Sequence, residues 1–459
     1  MTLSKYIGNR SFYKKILAVS VPIMIQNGIT NFVNMLDNIM VGSLKTEAMS
    51  GVSIVNQFIF ILNLLIFGAV SAAGIFTAQY HGLGDVQGEK HTFRFKLIIN
   101  LVAVIIGILV FFFFDDALIS TFLHSGSEQG DLSLTLSYGK QYLRIMLIGL
   151  VPYTISQVYA STMRETGQTI LPMLAGIAAM VTNLVFNSLL IFGLFGFPAL
   201  AVKGAAIATV LSRFVELGIL VVWGHTKKKK CPYLIGAYRS AYIPKELIKN
   251  IVLKGIPIMI NELLWACGMT MRNQCYSVRG LDSVAALNIN STILNVFNVV
   301  YIALGSAISI VVGNLLGAGE IEQAKDTDRK MIVFSFVCAV GVSILYIGSA
   351  FVFPSFYNTS GNIRYLAGYM MIVSAFSMPF NAYANASYFT LRSGGKVFIT
   401  FLFDSGYMWA FVIPLTAVFA YFTSVNIFVL FAIGQSADII KCIFAYLVLR
   451  KGTWAKQIV

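Results

Sequence analysis

The chain has 459 residues, 57% of them hydrophobic and only 11% charged, with a formal net charge of +14 and a mean hydropathy of +0.78. Soluble domains carry about 25% charged residues, so a water-soluble fold is excluded, and the bilayer sets the element size at roughly 20 residues per crossing helix. A pI near 9.5 would also suit a nucleic-acid face, but the Lys and Arg residues sit almost entirely in short segments between apolar runs, where the positive-inside rule places them. No nucleic-acid partner is expected.

In chain order, apolar runs long enough to span fall near 15–39, 52–80, 95–114, 136–159, 169–194, 200–224, 250–276, 284–315, 330–353, 363–390, 397–421 and 426–449. Lys5, Arg10, Lys14 and Lys15 precede the first run, which continues into Asn31, Asn34 and Asp37 without a small-residue cleavage pattern. A retained first helix is therefore expected instead of a signal peptide. Barrel strands would need only about 10 alternating residues, so the expected fold class is all-α, with twelve transmembrane helices. With both termini on one side, the connections on that side hold 24 of the 33 Lys and Arg, whereas the opposite loops include Lys45, Arg279, Arg364 and the acidic stretch Asp115, Asp116, Glu128 and Asp131. Both termini are thus expected to be cytoplasmic, in the cytoplasmic (inner or plasma) membrane. Lys227 to Lys230 read as a solvated linker that also helps fix topology. The five cysteines (Cys231, Cys267, Cys275, Cys338 and Cys442) are odd in number and lack CxxC spacing, as small buried hydrophobes do.

The two halves repeat. VPIMI at 21–25 returns as IPIMI at 256–260, and the same offset of 235 aligns HGLGDVQGEK (81–90) with LGAGEIEQAK (316–325), pairing Gly82 with Gly317. Pro152 and TMRETGQTIL (162–171) correspond to Pro379 and TLRSGGKVFI (390–399). Each repeat has six helices and begins on the cytoplasmic side, so the halves are parallel repeats, an arrangement transporters use to build a central path. The expected domains are an N-lobe at 1–224, a cytoplasmic linker at 225–249 and a C-lobe at 250–459, two pseudo-symmetric lobes around a central cleft.

Charges inside the bilayer are costly and usually face a cavity or a partner. Arg213 and Glu216, three apart on the sixth span, can neutralise each other; Asp438 and Lys441 repeat the spacing on the twelfth with the signs exchanged. Asp37 lies beside Asn34 and Asn38 with no base within a turn, and the repeat puts Arg272 at its equivalent position. Two readings stand: a cation site, since a carboxylate with amide oxygens suits a hard cation, or an ion pair with Arg272. Asn183 and Asn187 share a face of the fifth span and Thr209 lies on the sixth, as oxygen ligands or as helix-to-helix hydrogen bonds. Glu262, one turn from Trp265, and Asp404, near Tyr407 and Trp409, could each hold an organic cation or form a polar knot.

The motifs MLDNIMVG (35–42), GLGD (82–85), TMRETGQT (162–169), TNLVFNSLLIFGLFGFPALAVKGAAIAT (182–209), GIPIMINE (255–262) and LRSGG (391–395) resemble the multidrug and toxic compound extrusion (MATE) family over essentially the whole chain. The resemblance implies that Asp37 is the coupling residue and Na⁺ ligand if sodium is the ion, joined by Asn183, Asn187 and Thr209. Asn187 stands where relatives with this site carry Asp, Trp265 where many carry a Glu, and Asn381 near a helix-ten Asp of some. Residues expected to meet substrate are Asn34, Glu262, Trp265, Arg272, Asn381 and Asp404. The implied function is antiport: export of amphipathic, often cationic small molecules in exchange for Na⁺ or H⁺ by alternating access. A monomer in membrane lipid is expected, with a coupling ion but no cofactor. A flippase of lipid-linked oligosaccharides would share the architecture but need several basic residues for pyrophosphate. No Walker loop, HExxH, GxSxG or paired-carboxylate motif points to an enzyme.

Overall fold

The computed structural model describes residues 5–42, 44, 46–121, 131–357 and 359–459, without the side chains at 34, 35, 38, 39 and 46. Lys45, His124, Glu128 and the side chain of Asn34 lie outside that description. Twelve long helices occur among the described residues: α1 Arg10–Gly42, α2 Thr46–Leu83, α3 Val86–Phe113, α4 Leu132–Glu165, α5 Ile170–Phe192, α6 Val202–Thr226, α7 Lys245–Ser277, α8 Leu281–Gly317, α9 Ile321–Ala350, α10 Gly361–Ser393, α11 Val397–Tyr421 and α12 Ile427–Arg450. All but α10 are long and apolar enough to cross a bilayer by composition, and α10 is long enough at 33 residues. The all-α membrane fold expected from the sequence is thus the fold observed.

Several helices outrun their apolar runs. α3 begins at Val86 instead of 95, and α9 at Ile321 instead of 330, because the backbone ladder continues through polar residues that hydropathy leaves outside the spans. Asp85 accepts from Gln87 N to open α3, and Asp131 accepts from Ser133 N and Leu134 N to open α4. The Ser133 hydroxyl, and after it these backbone bonds, hold the exposed Asp131 carboxyl below its ordinary range. The longer helices take in His81, His91 and His225, which hydropathy had left outside the spans. Pro22 and Pro257, equivalent in the repeat, lie inside α1 and α7, and Pro152 and Pro379 inside α4 and α10. Membrane helices tolerate such breaks where neighbours satisfy the freed carbonyls.

The helices gather into two compact units. One consists of Ile25–Thr77 and Asp85–Ile251. Its core joins Val55, Phe58, Leu62 and Ile66 of α2 to Leu143, Leu147 and Leu150 of α4 and Val202 and Ala206 of α6. The segment after α6 folds back onto this unit: Arg94 of α3 donates to the carbonyls of Gly236, Ala237 and Tyr242, and Cys231, Tyr233 and Leu234 are buried, while Lys227 to Lys230 stay exposed.

The other unit consists of the chain up to Met24, Ala78–Gly84 and Val252–Val459. At its centre the end of α2 crosses α8 at the duplicated glycines. A Cβ at Gly82 would run into the Asn314 carbonyl, and one at Gly317 into the carbonyl of Gln79. Gln79 and Asn314 are themselves separated by the repeat offset, so the crossing is reciprocal, and only glycine permits so close a backbone approach. The chain after α12 straps this crossing. The Gln79 amide donates to the carbonyls of Ser393 (3.0 Å) and Lys456 (3.2 Å) and accepts from Ile458 N (2.7 Å), while Gln457 donates to the Gly317 carbonyl at 2.9 Å. Trp454 is buried beside Gly394.

Candidate cation and substrate site

In the unit built on Ile25–Thr77 and Asp85–Ile251, three helices bring one carboxylate and three neutral side chains together. Asn183 and Asn187 lie four apart on α5 and face the same way. Asn187 Nδ2 donates to Asp37 Oδ1 at 2.6 Å and to Asn183 Oδ1 at 3.0 Å; Asn183 Nδ2 donates to Thr209 Oγ1 at 3.2 Å, and Thr209 donates to the Ala205 carbonyl at 3.0 Å. Asn183, Asn187 and Thr209 are buried and Asp37 is half-buried. All four residues of the expected coupling set therefore form one hydrogen-bonded chain. The chain has one loose end: Asn187 Oδ1 is buried and has no hydrogen-bond partner. Buried polar atoms are nearly always paired, so an acceptor oxygen left without a donor beside a carboxylate is the arrangement a cation or a proton completes.

Beside Thr209 lies a cavity of about 30 Å³ whose walls include Asn63, Tyr153, Thr209 and Arg213, enough for about one or two waters. Asn63 Oδ1 is a second buried acceptor without a partner, and hydropathy had not singled that residue out. Arg213 pairs with Glu216 at 3.6 Å, as its spacing implied, and lies 4.7 Å over the Tyr153 ring.

The second unit carries a different cluster. α11 widens to π-helical hydrogen bonding over Leu402–Gly406 and Met408–Val412, a distortion that often marks functional positions. Asn261 of α7 fills it, its Oδ1 accepting from Ser405 N at 3.2 Å and its Nδ2 donating to Asp404 at 3.0 Å. Asp404 is closed by Lys441 at 2.6 Å. Glu262 accepts from the Tyr388 hydroxyl at 2.8 Å and lies 3.8 Å from Arg392. Trp265, one turn on, is 41% exposed, away from that knot. Arg272 lies 3.9 Å from Asp438, and Asn381 of α10 lies near the same carboxylate. The structure departs here from the sequence expectation: Asp438 and Lys441 do not pair with each other as i,i+3 neighbours. Each reaches another helix, because α7 and α11 offer partners on the buried side that a single-helix spacing argument cannot see. Arg272 takes Asp438 as its partner, and Asp37 takes Asn187. Among the described residues no group of three or more His, Cys, Asp or Glu gathers; the oxygen set around Asp37 is one carboxylate plus neutral donors, which suits a hard monovalent cation and not a transition metal.

The MatE family model matches residues 22–189 and 257–422, one stretch in each half. The chain belongs to the MatE family. Its relatives include the probable multidrug resistance protein NorM of Thermotoga maritima, 26% identical over 352 residues that cover 74% of this chain and 70% of that protein. Another is the FAD transporter of Shewanella oneidensis, also 26% identical over 352 residues, covering 74% and 73%. In fold this MatE chain is similar to a MOP superfamily transporter from Pyrococcus furiosus described as having a binding pocket of reversed polarity, with a TM-score of 0.85, 18% identity and 99% of both chains covered. The two matched stretches, 22–189 and 257–422, each begin at the second residue of the repeated VPIMI (21–25) and IPIMI (256–260) segments, one repeat offset of 235 apart.

Proposed function

We propose that this multi-pass membrane protein exports amphipathic small molecules in exchange for Na⁺ or H⁺, with Asp37 as the coupling residue, both termini cytoplasmic, and the lobes 1–224 and 250–459 alternating access. The observation that carries the reading is the unpartnered Asn187 Oδ1 next to Asp37. Two occupants complete it. A bound Na⁺ would take the Asp37 carboxylate, Asn187 Oδ1 and nearby oxygens of Asn183 and Thr209. A proton on Asp37 would turn the acid into a donor for Asn187 Oδ1 after the amide rotates. Either way the ion alters the hydrogen bonds that join α1, α5 and α6, and coupling requires only that ion and cargo favour different access states.

The charges of the cluster around α7 and α11 are mutually compensated: Lys441 on Asp404, Arg392 near Glu262 and Arg272 near Asp438. A purely cationic cargo would have to displace a resident base there, so the Asp37 cluster is the better cation site. The multidrug names among the relatives support organic amphipaths as cargo, and the relative named as an FAD transporter extends the range to molecules bearing anionic groups. The test is efflux of ethidium from reconstituted vesicles with Na⁺ and pH gradients imposed separately. Efflux driven by one gradient and abolished when it is dissipated supports the reading; efflux indifferent to both rejects it.

A further inference from the structure

The repeat that places Asp37 in the first half places Arg272 in the second, and Arg272 is poorly satisfied. Its guanidinium has five N–H donors in a fixed fork. Nη1 lies 3.9 Å from Asp438 Oδ2, beyond hydrogen-bond reach, Nη2 touches only the weakly accepting Met269 thioether at 3.4 Å, and Nε is buried with no partner. The side chain is only 10% exposed. One turn on, the Tyr276 hydroxyl is likewise buried without a partner and lies against Gly434, where any Cβ would collide with it. Tyr276 and Arg272 on α7 thus face Gly434 and Asp438 on α12, leaving two unsatisfied donor groups on one side of a long ion pair. Nearby Asp404 is closed by Lys441 at 2.6 Å, so the Arg272–Asp438 contact is the loose one of these two.

We propose that the Arg272–Asp438 pair is a receptor for a zwitterionic amphipath, the cargo's carboxylate bonding the Arg272 guanidinium and the Tyr276 hydroxyl while its cationic group takes Asp438 and Asn381. A separated plus and minus is the complement of a separated minus and plus. A simple anion would be repelled by Asp438, and a simple cation by Arg272. Bidentate binding of a carboxylate uses the guanidinium fork that Asp438 leaves unused. The side chains of Asp404, Asp438 and Lys441 keep 14–15% exposure, so the cluster is not fully sealed. This assignment rests on the exporter reading and names a cargo class for it.

The experiment is equilibrium binding to the purified protein in detergent, followed by fluorescence polarisation, of rhodamine B, which carries a free carboxylate, and of its ethyl ester, in which that carboxylate is masked. The acid is expected to bind at least tenfold more tightly than the ester. Arg272→Gln should erase that preference by weakening the acid without weakening the ester, whose positive charge the guanidinium repels, and Asp438→Asn should weaken both dyes. Tyr276→Phe removes a hydroxyl that has no partner in the fold, and it should cut the acid's advantage severalfold even if the arginine variant does not fold. Equal affinities in the wild type, no binding of either dye, an Arg272→Gln effect common to both, or an unchanged preference in Tyr276→Phe would each overturn the proposal. Binding needs no gradient, so intact binding with gradient-independent efflux would reject the exporter reading instead.

Discussion

Replacing Asp37 by Asn changes one oxygen into an amide and removes one charge. The 2.6 Å contact from Asn187 Nδ2 survives as a neutral hydrogen bond, so the loss to the fold is the difference between a charge-assisted bond and a neutral one, about 1 kcal/mol. Removing a half-buried charge offsets part of that, and the melting temperature should move by no more than about 2–4 °C. The ion loses far more. A cation held about 4 Å from a carboxylate at an effective dielectric near 20 gains about 4 kcal/mol, equivalent to about a thousandfold in affinity. The assay pairs thermal melts with cation binding by isothermal titration on the same purified variant. Unchanged cation affinity in a folded Asp37→Asn protein would refute the role of the carboxylate, and loss of the fold would show that its charge is structural.

Thr209→Ala, which strips the acceptor from Asn183 Nδ2, should weaken cation binding about fivefold, in line with about 1 kcal/mol for one hydrogen bond, as read by the same titration. Gly82→Ala and Gly317→Ala should each destabilise the protein by about 1–3 kcal/mol through overpacking of the α2–α8 crossing, seen as lower melting temperatures in detergent. Removing residues 452–459 breaks the hydrogen bonds that join Gln79 and the Gly317 carbonyl to the strap and should lower the melting temperature, with Gln79→Ala reproducing part of the drop. Lys441→Met leaves Asp404 uncompensated and should cost about 3–5 kcal/mol, whereas the double variant with Asp404→Asn should recover most of it; a double-mutant cycle on melting data checks this.

The spans, the duplication and the Asp37 set were legible because lipid imposes strong rules on composition. Asp37 stood out as an acid with no local base, and Asn183 and Asn187 as a same-face pair. What was hidden depends on neighbours that spacing cannot reveal. Asp438 and Lys441 looked like partners until α7 and α11 supplied Arg272 and Asp404. Gln79 and the strap around Trp454 carry no periodic signal, since their order comes from single side chains bonding irregular backbone. The HGLG and LGAG repeats did contain a clue to the crossing: glycines duplicated at one offset imply a duplicated close approach. Helix ends were missed because hydropathy marks where lipid lies, whereas Asp85 and Asp131 mark where the backbone ladder starts.

Coupling is reciprocal in free energy, and that gives the most direct measurement. Vesicles containing the protein are equilibrated with equal Na⁺ and pH on both sides, a gradient of the exported dye alone is imposed, and ion movement is followed with a Na⁺ or pH indicator. The account predicts that the dye gradient drives Na⁺ or H⁺ across the membrane in the opposite direction, and that Asp37→Asn abolishes this flux. Dye movement with no accompanying ion flux in the wild-type protein would contradict it.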